Sequence, residues 1–248
     1  MRLKVGTFNI AAGRQPDLKV IQRQVMEENF DLLGLQEVDC LTTRNPKEML
    51  AEIGEGFYPY QVYQPAFHFP EGGEYGNGVL SQLQPVEVNH HFYAVIGEEP
   101  RIYQEIIFEI LNHRRLAFYN THLSFESSEI REQQAAELND RVAQNQCQWS
   151  IVLGDFNFDQ DLQEWAVFSN FKWCNGNQEK WWETFLLPDE TMKNFAIDNI
   201  LVTKNCRIEQ VGLKETGLSD HGLFWAEIVL ESSNKEKESE ECVGKKSI

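Results

Sequence analysis

The sequence SIVLGDFN, at residues 150–157, contains the pattern that decides the fold. A short and mostly apolar run of this kind indicates a buried β-strand. Asp155 and Asn157 follow the run directly, in positions where Asp and Asn usually form turns. Ionisable groups placed beside a buried strand are costly unless they are paired. The stretch therefore predicts a buried strand whose end carries polar side chains with a functional role.

The same arrangement recurs at other predicted strand ends along the chain. Strands are predicted at 2–10, 31–37, 115–121, 195–202 and 223–230. Four of them carry polar residues at or near one end, and the strand at 195–202 carries Asp198 within it. These residues are Asn9, Glu37, Asn120, His122, Asp198, Asp220 and His221. Each one alone is typical of a turn or a solvated surface. Several carboxylates at one edge would repel one another unless a cation neutralised them, so the combination indicates a metal-assisted site.

The rest of the chain alternates strands and helices. Helices are predicted at 17–29, 46–53, 127–145 and 161–170, and further strands at 60–67, 76–81, 86–95, 103–111 and 206–213. Asp17 is a suitable N-cap for the first helix, and Pro46 opens the second. Two β-rich halves with helices between them predict two packed sheets covered by helices. Residues 1–231 are predicted to form one domain, and residues 232–248 a polar, exposed C-terminal tail.

Composition restricts the partners and the location. Asp and Glu number 39 against 22 Lys and Arg, which gives a net charge of −17. DNA binding draws much of its affinity from basic residues, so this balance disfavours DNA without excluding it. Phosphate chemistry remains compatible, because bound cations can invert the local field.

No apolar run approaches the roughly 18 residues of a transmembrane segment, and the N-terminus lacks a secretory h-region, which predicts a cytoplasmic protein. Five irregularly spaced cysteines argue against a disulfide framework or a structural zinc site.

Seven segments in order resemble one enzyme superfamily. TFNIAAG, LGLQEVD, YGNGVLS, FYNTHLS, VLGDFNF, AIDNILV and LSDHGLF, between residues 7 and 224, resemble the endonuclease/exonuclease/phosphatase superfamily, which includes deoxyribonuclease-like enzymes, inositol-polyphosphate 5-phosphatases and neutral sphingomyelinases. GDFN and SDH are its most specific motifs here. The resemblance, to a small bacterial-type member, implies an α/β four-layer sandwich of two mixed β-sheets flanked by helices, with the active site at one end of the sheets.

The resemblance also implies the metal and the groups that activate water. It implies a divalent cation, Mg²⁺ with Mn²⁺ as the alternative, bound by Glu37, Asn9 and Asp220. His221 is expected to be the general base for the attacking water, or its electrostatic partner. Asp198 is expected to fix the tautomer of His221, and Asp155 to orient the water.

Four further residues are expected to contact the phosphate. Asn157, Asn120 and His122 match the family motifs, and an imidazolium at His122 would stabilise developing charge. Arg101 follows Pro100, as in several small bacterial members; it is either a phosphate ligand or an exposed loop arginine. Asn199 stands where the family often has an aromatic residue or His, which could change the pocket wall.

These expectations define a Mg²⁺-dependent phosphoric ester hydrolase that uses in-line attack of water on a phosphodiester or phosphomonoester. The expected substrate is a small phosphorylated metabolite or a nucleotide. The alternatives are an endonuclease or exonuclease acting on DNA, a sphingomyelinase-like phosphodiesterase, an inactive binding module on the same fold, and an acidic α/β protein in which these residues only cap turns. Aromatic residues at 64–75 and 172–193 either form a substrate wall or pack as loop supports.

Overall fold

The computed structural model describes residues 1–110 and 113–231. Its strands are β1 (Arg2–Asn9), β2 (Leu32–Cys40), β3 (Tyr60–His68), β4 (Glu74–Ser81), β5 (Pro85–Phe92), β6 (Ile102–Ile110), β7 (Arg114–His122), β8 (Trp149–Asp155), β9 (Lys172–Trp173), β10 (Asp198–Val202), β11 (Cys206–Lys214) and β12 (Leu223–Leu230). Its α-helices are α1 (Leu18–Glu28), α2 (Met49–Gly54) and α3 (Ser128–Gln144). Short 3-10 helices lie at Ala12–Arg14, Leu162–Phe168 and Asn177–Glu179.

The strands form two six-stranded mixed sheets. The first sheet has the order β11-β12-β1-β2-β4-β3, and the second has the order β5-β6-β7-β8-β10-β9. Each sheet has one parallel pair near its centre, β1 with β2 and β7 with β8, and its other pairs are antiparallel. The ends Asn9, His122 and Asp155 therefore belong to central strands, which are the best-held strands of a sheet.

Three hydrophobic clusters hold four layers together. Apolar side chains from both sheets, such as Val5 and Ile151, form the core between the sheets. The outer face of the first sheet packs against α1 and α2 through residues such as Ile21 and Ile53. The outer face of the second sheet packs against α3 and the 3-10 helix Leu162–Phe168. The predicted α/β sandwich of two mixed sheets flanked by helices is confirmed.

Several predicted boundaries need correction. The helix predicted from Pro46 begins at Met49, and the one predicted at 161–170 is a 3-10 helix. The strand predicted at 195–202 begins only at Asp198, and the two-residue β9 was not predicted. A strand of only two residues cannot show an alternating apolar pattern, which explains why β9 has no signal in the sequence. The predicted tail at 232–248 lies outside the described residues.

Two other expectations concern the helices and the cysteines. Asp17 caps α1 as predicted: its side chain accepts hydrogen bonds from the backbone N–H groups of Lys19 and Val20. Cys40, Cys147, Cys174 and Cys206 are all free thiols. No helix in the described part of the chain has the length and apolar character needed to span a membrane.

Candidate active site

Strand register brings three of the predicted residues side by side. His122, the last residue of β7, is the register partner of Asp155, the last residue of β8. Asp155 is also the register partner of Asp198, the first residue of β10. Gly154 lets β8 approach β7 closely, because it has φ 146° and a Cβ there would lie 1.9 Å from the carbonyl oxygen of Thr121. Gly154, the glycine of GDFN, therefore helps to position Asp155, which follows it.

The first sheet adds Asn9 from the end of β1. Nδ2 of Asn9 donates to Oε1 of Glu37 and to Oδ2 of Asp155, both at 3.0 Å, so it joins carboxylates from the two sheets. Oδ1 of Asn9 accepts from the backbone N–H of Ala11. The amide therefore turns its nitrogen toward the carboxylates. Asn9 therefore lies beside Glu37, and its role as a metal ligand stays a prediction.

Glu37 reaches the site through a bulge. The sequence placed Glu37 at the end of its strand, but β2 continues to Cys40. The register with β4 shifts between Leu35 and Val38, and Glu37 has φ 56°. In a regular strand Gln36 and Glu37 would face opposite sides, and a bulge can re-aim one of them. Here Gln36 is buried between the sheets, and Glu37 lines the cavity.

Asp198, His221 and Asp155 form a buried row of charged groups. Nδ1 of His221 lies 2.8 Å from Oδ2 of Asp198, and its Nε2 lies 3.6 Å from Oδ2 of Asp155. Burial lowers the pKa of His221, but the carboxylates of Asp198 and Asp155 outweigh burial and raise it to about 10. Burial and the charge of Asp198 raise the pKa of Asp155 to about 7. His221 is therefore charged at neutral pH, whereas Asp155 exchanges its proton near neutrality.

Arg101 and His122 are in contact with each other and line the same cavity as His221. Nη1 of Arg101 lies 2.9 Å from Nδ1 of His122 and 3.0 Å from Oε1 of Glu99. Only 5% of Arg101 is exposed, so it is not a loop arginine in solvent. Burial, Arg101 and His221 hold the pKa of His122 well below its usual range. This lowered pKa favours a neutral imidazole at His122 over the imidazolium that the resemblance implies.

These groups line one cavity of about 310 Å³. Among the predicted residues, it is lined by Glu37, Arg101, His122, Asp155, Asn157, Asp220 and His221. Asn157 has φ 52°, and its Nδ2 donates to the carbonyl oxygen of Leu123. Oδ2 of Asp220 lies 3.6 Å from Nη1 of Arg14. Seven of the predicted residues therefore line one cavity, and they come from both sheets.

Asn120 does not join the site. It is fully buried between the sheets, where its Oδ1 accepts from Nε2 of Gln36 at 2.7 Å. Its Nδ2 contacts the carbonyl oxygens of Leu35 and Gly78 and Oε1 of Gln104. The expected contact of Asn120 with phosphate needs correction, because its polar atoms already link four strands.

Most of the other residues that line the cavity had no signal in the sequence. Phe125, Asp159, Phe185, Asp189, Thr191, Met192 and Ile197 also line the cavity. Most come from two loops that hydrogen bond to each other, for example Lys193 N to the carbonyl oxygen of Asp159. Such contacts join residues far apart in sequence, and neither periodicity nor spacing encodes them. A signal existed only for Phe185, which belongs to the aromatic segment at 172–193.

The aromatic segments mostly support loops. Trp173 and Trp181 pack with Trp165, and Phe67 packs with Phe69 and Tyr75. Phe185 is the exception, with its ring edge-on to His221 at 5.2 Å between centroids. Asn199 does not face the cavity; it is buried and exchanges hydrogen bonds with the backbone of Asn175.

The donor atoms available in the site suit a hard divalent cation. Oxygen ligands are those that Mg²⁺ and Mn²⁺ prefer, and the carboxylates of Glu37 and Asp220 line the cavity. A different trio, Asp155, Asp198 and His221, has its possible ligand atoms within 4.8 Å of one another. The short bond between His221 and Asp198 already uses the facing atoms of that trio. Glu37 and Asp220 remain the predicted ligands for a cation, and the trio contains a short hydrogen bond between His221 and Asp198.

Comparison with known proteins identifies the class. The model of the endonuclease/exonuclease/phosphatase family matches residues 6–221. The chain belongs to this family, whose members are hydrolases acting on phosphoesters. A comparison with curated protein sequences finds no match.

Solved structures share the fold at low identity. An endonuclease/exonuclease/phosphatase from Beutenbergia cavernae has a TM-score of 0.76 and 17% identity over 93% of this chain and 72% of its own. A mannosyl-6-phosphatase from Bacteroides thetaiotaomicron has a TM-score of 0.68 and 20% identity over 92% of this chain and 99% of its own. The human Nocturnin catalytic domain with bound sulfate has a TM-score of 0.69 and 17% identity, covering 92% of this chain and 94% of its own.

Proposed function

We propose that this chain is a metal-dependent phosphoric ester hydrolase that transfers a phosphoryl group from a small phosphorylated metabolite or nucleotide to water by in-line attack. The observation that carries the proposal is the buried row of Asp198, His221 and Asp155, which meets the pair of Arg101 and His122 at one cavity. A base, a charged donor and phosphate ligands in one concave site are the parts that phosphoester hydrolysis requires.

Asp155 is the proposed base for the attacking water. Its pKa of about 7, raised by burial and by Asp198, allows it to accept a proton at neutral pH. His221 is charged and donates from Nε2 to a phosphoryl oxygen, while Asp198 holds its Nδ1. Of the two roles expected for His221, this geometry supports the electrostatic partner rather than the general base.

The other side chains hold the phosphoryl group. Arg101 supplies a fixed positive charge, and its contact with neutral His122 leaves that ring one N–H to donate. Glu37 and Asp220 would hold the cation, and Asn9 would keep Glu37 at its place. When bound, the cation neutralises the non-bridging oxygens and stabilises the leaving oxygen.

The charge of the site supports a small substrate. Asp159 and Asp189 line the cavity on its loop side, and the whole chain carries a net charge of −17. A long polyanion would meet these carboxylates beyond its reacting phosphate, whereas a small ester with one phosphate would not.

A hydrolysis panel tests the proposal. Phosphate or product release is measured from a sugar phosphate, a nucleoside monophosphate, inositol phosphates, sphingomyelin, an abasic oligonucleotide and duplex DNA, each with Mg²⁺ and with a chelator. We expect Mg²⁺-dependent hydrolysis of a small ester. Robust cleavage of duplex DNA at physiological salt would overturn the substrate assignment. A folded protein inactive on the whole panel would favour the binding module and contradict the enzyme proposal.

A further inference from the structure

The pair formed by Asp198 and His221 spans the two sheets. Asp198 begins β10 of the second sheet, whereas His221 comes just before β12 of the first. The distance between the two side chains therefore depends on contacts that join the two sheets near them. The segment around Thr184 contacts the residues next to both.

The backbone of this segment pairs with the residues around His221. The N–H of Gly222 donates to the carbonyl oxygen of Thr184 at 2.8 Å, and the N–H of Leu186 donates to the carbonyl oxygen of Asp220 at 2.7 Å. These two bonds lie on either side of His221. The backbone of His221 is therefore fixed against the Thr184 segment.

The side chain of Thr184 holds the start of β10. Its Oγ1 accepts from the backbone N–H of Asp198 at 2.9 Å and from that of Ile197 at 3.1 Å. Thr184 is fully buried, so water cannot take the place of a missing acceptor. Removing Oγ1 would leave two backbone donors unsatisfied beside the carboxylate that binds His221.

We propose that Thr184 is a positioning residue, which fixes Asp198 through its hydroxyl and His221 through its backbone, and so sets the distance between their side chains. Its effect on rate rests on the function proposed above, whereas its hold on Asp198 does not. Displacing a group by about 1 Å at a reacting centre can lower a rate by about 10²-fold.

Thr203 provides a matched control at the other end of β10. Its Oγ1 accepts from the backbone N–H of Ser150 at 3.2 Å, away from Asp198 and His221. Thr203 directly follows β10, so Thr203→Val removes a hydroxyl acceptor next to the same strand without touching the pair.

The experiment compares Thr184→Val, Thr184→Ser and Thr203→Val by amide hydrogen exchange and by steady-state kinetics on the best ester of the panel. In Thr184→Val we expect exchange of the Ile197 and Asp198 amides to accelerate by about 10-fold or more. We expect kcat to fall by about 10- to 100-fold with KM within about threefold. Thr184→Ser should restore both quantities, and Thr203→Val should leave kcat unchanged. Thr184→Ala replaces the valine variant if that one does not fold, with the same expectation.

Two results would overturn the inference. One is a kcat in Thr184→Val equal to that in Thr203→Val, and the other is unchanged exchange at Ile197 and Asp198. If the wild-type chain hydrolyses no ester, the proposed function fails, and the exchange data still decide whether Thr184 holds Asp198.

Discussion

Nδ1 of His221 lies 2.8 Å from Oδ2 of Asp198, while Oδ1 of the same carboxylate is buried without a hydrogen-bond partner. A buried carboxylate with one unpartnered oxygen is costly unless a charge faces it. The imidazolium of His221 supplies that charge, and the carboxylate in turn keeps the imidazole protonated. The carboxylate of Asp198 therefore raises the pKa of His221, and the charged ring faces the buried carboxylate.

Asp198→Asn tests this dependence. Burial lowers the pKa of His221, and without the charge of Asp198 the opposing influence weakens, so the pKa should fall from about 10. We expect kcat to fall by about 10²- to 10⁴-fold, because a smaller fraction of His221 is charged at neutral pH and its ring loses the group that orients it. The measurements are kcat and an NMR titration of the His221 ring, with exposed Asp140→Asn as the control. An unchanged His221 titration would refute the assignment.

Arg101→Ala tests the phosphate ligands. Hydrogen bonds to charged groups contribute about 1.5–3 kcal/mol, so the Kd for inorganic phosphate should rise by roughly 10- to 100-fold. Calorimetric titration of phosphate in the presence of Mg²⁺ measures the effect. Arg207→Ala is the matched control, since Arg207 pairs with Glu209 and Glu231 at the surface. Equal phosphate affinity in the two variants would remove Arg101 from the site.

Glu37→Gln tests the cation site. Glu37 offers a half-buried carboxylate to the cavity, and its amide analogue keeps the shape without the charge. We expect Mg²⁺ affinity to weaken by about 10-fold or more, since carboxylate charge provides much of the affinity for a hard cation. Titration calorimetry compares this variant with exposed Glu71→Gln. If both variants bind Mg²⁺ as the wild type does, the cation lies elsewhere.

Glu105, which lies away from the cavity, is predicted to make the free energy of unfolding depend on pH. Burial raises the pKa of Glu105, but Arg141, Tyr119 and His91 together outweigh burial and lower it. A lowered pKa contributes stability above the unfolded value of about 4.3, and this contribution disappears as the pH falls through the folded value. In Glu105→Gln the unfolding free energy should therefore depend less on pH below about 4.3. Denaturant unfolding at several pH values checks this against exposed Glu132→Gln, and equal slopes in wild type and Glu105→Gln would contradict it.

Local pattern places a side chain best where a strand simply ends. Asp155 directly follows the apolar run at 150–154 and His122 directly follows the strand predicted at 115–121, and regular register then makes them neighbours. Local pattern is sufficient for this pair because strand pairing needs only period and order. Asp198, by contrast, is predicted inside a strand at 195–202, whereas β10 begins at Asp198.

The sequence pattern does not show how deeply a side chain lies between the sheets, or where a strand departs from regular pairing. Asn120 lies two residues before His122 and so faces the same side of β7, but one step deeper, between the sheets. How far one sheet overlaps the other depends on packing across the whole core. The bulge at Glu37 and the pairing of the Thr184 segment with the residues around His221 are likewise tertiary features.

The most direct test of the central claim is the kcat of Asp155→Asn on the best ester of the panel, at saturating Mg²⁺. If Asp155 accepts the proton of the attacking water, kcat falls by about 10²-fold or more while the fold and phosphate binding remain. A kcat within about twofold of the wild type would show that another group takes the proton, and would contradict the assignment of this row as the reacting centre.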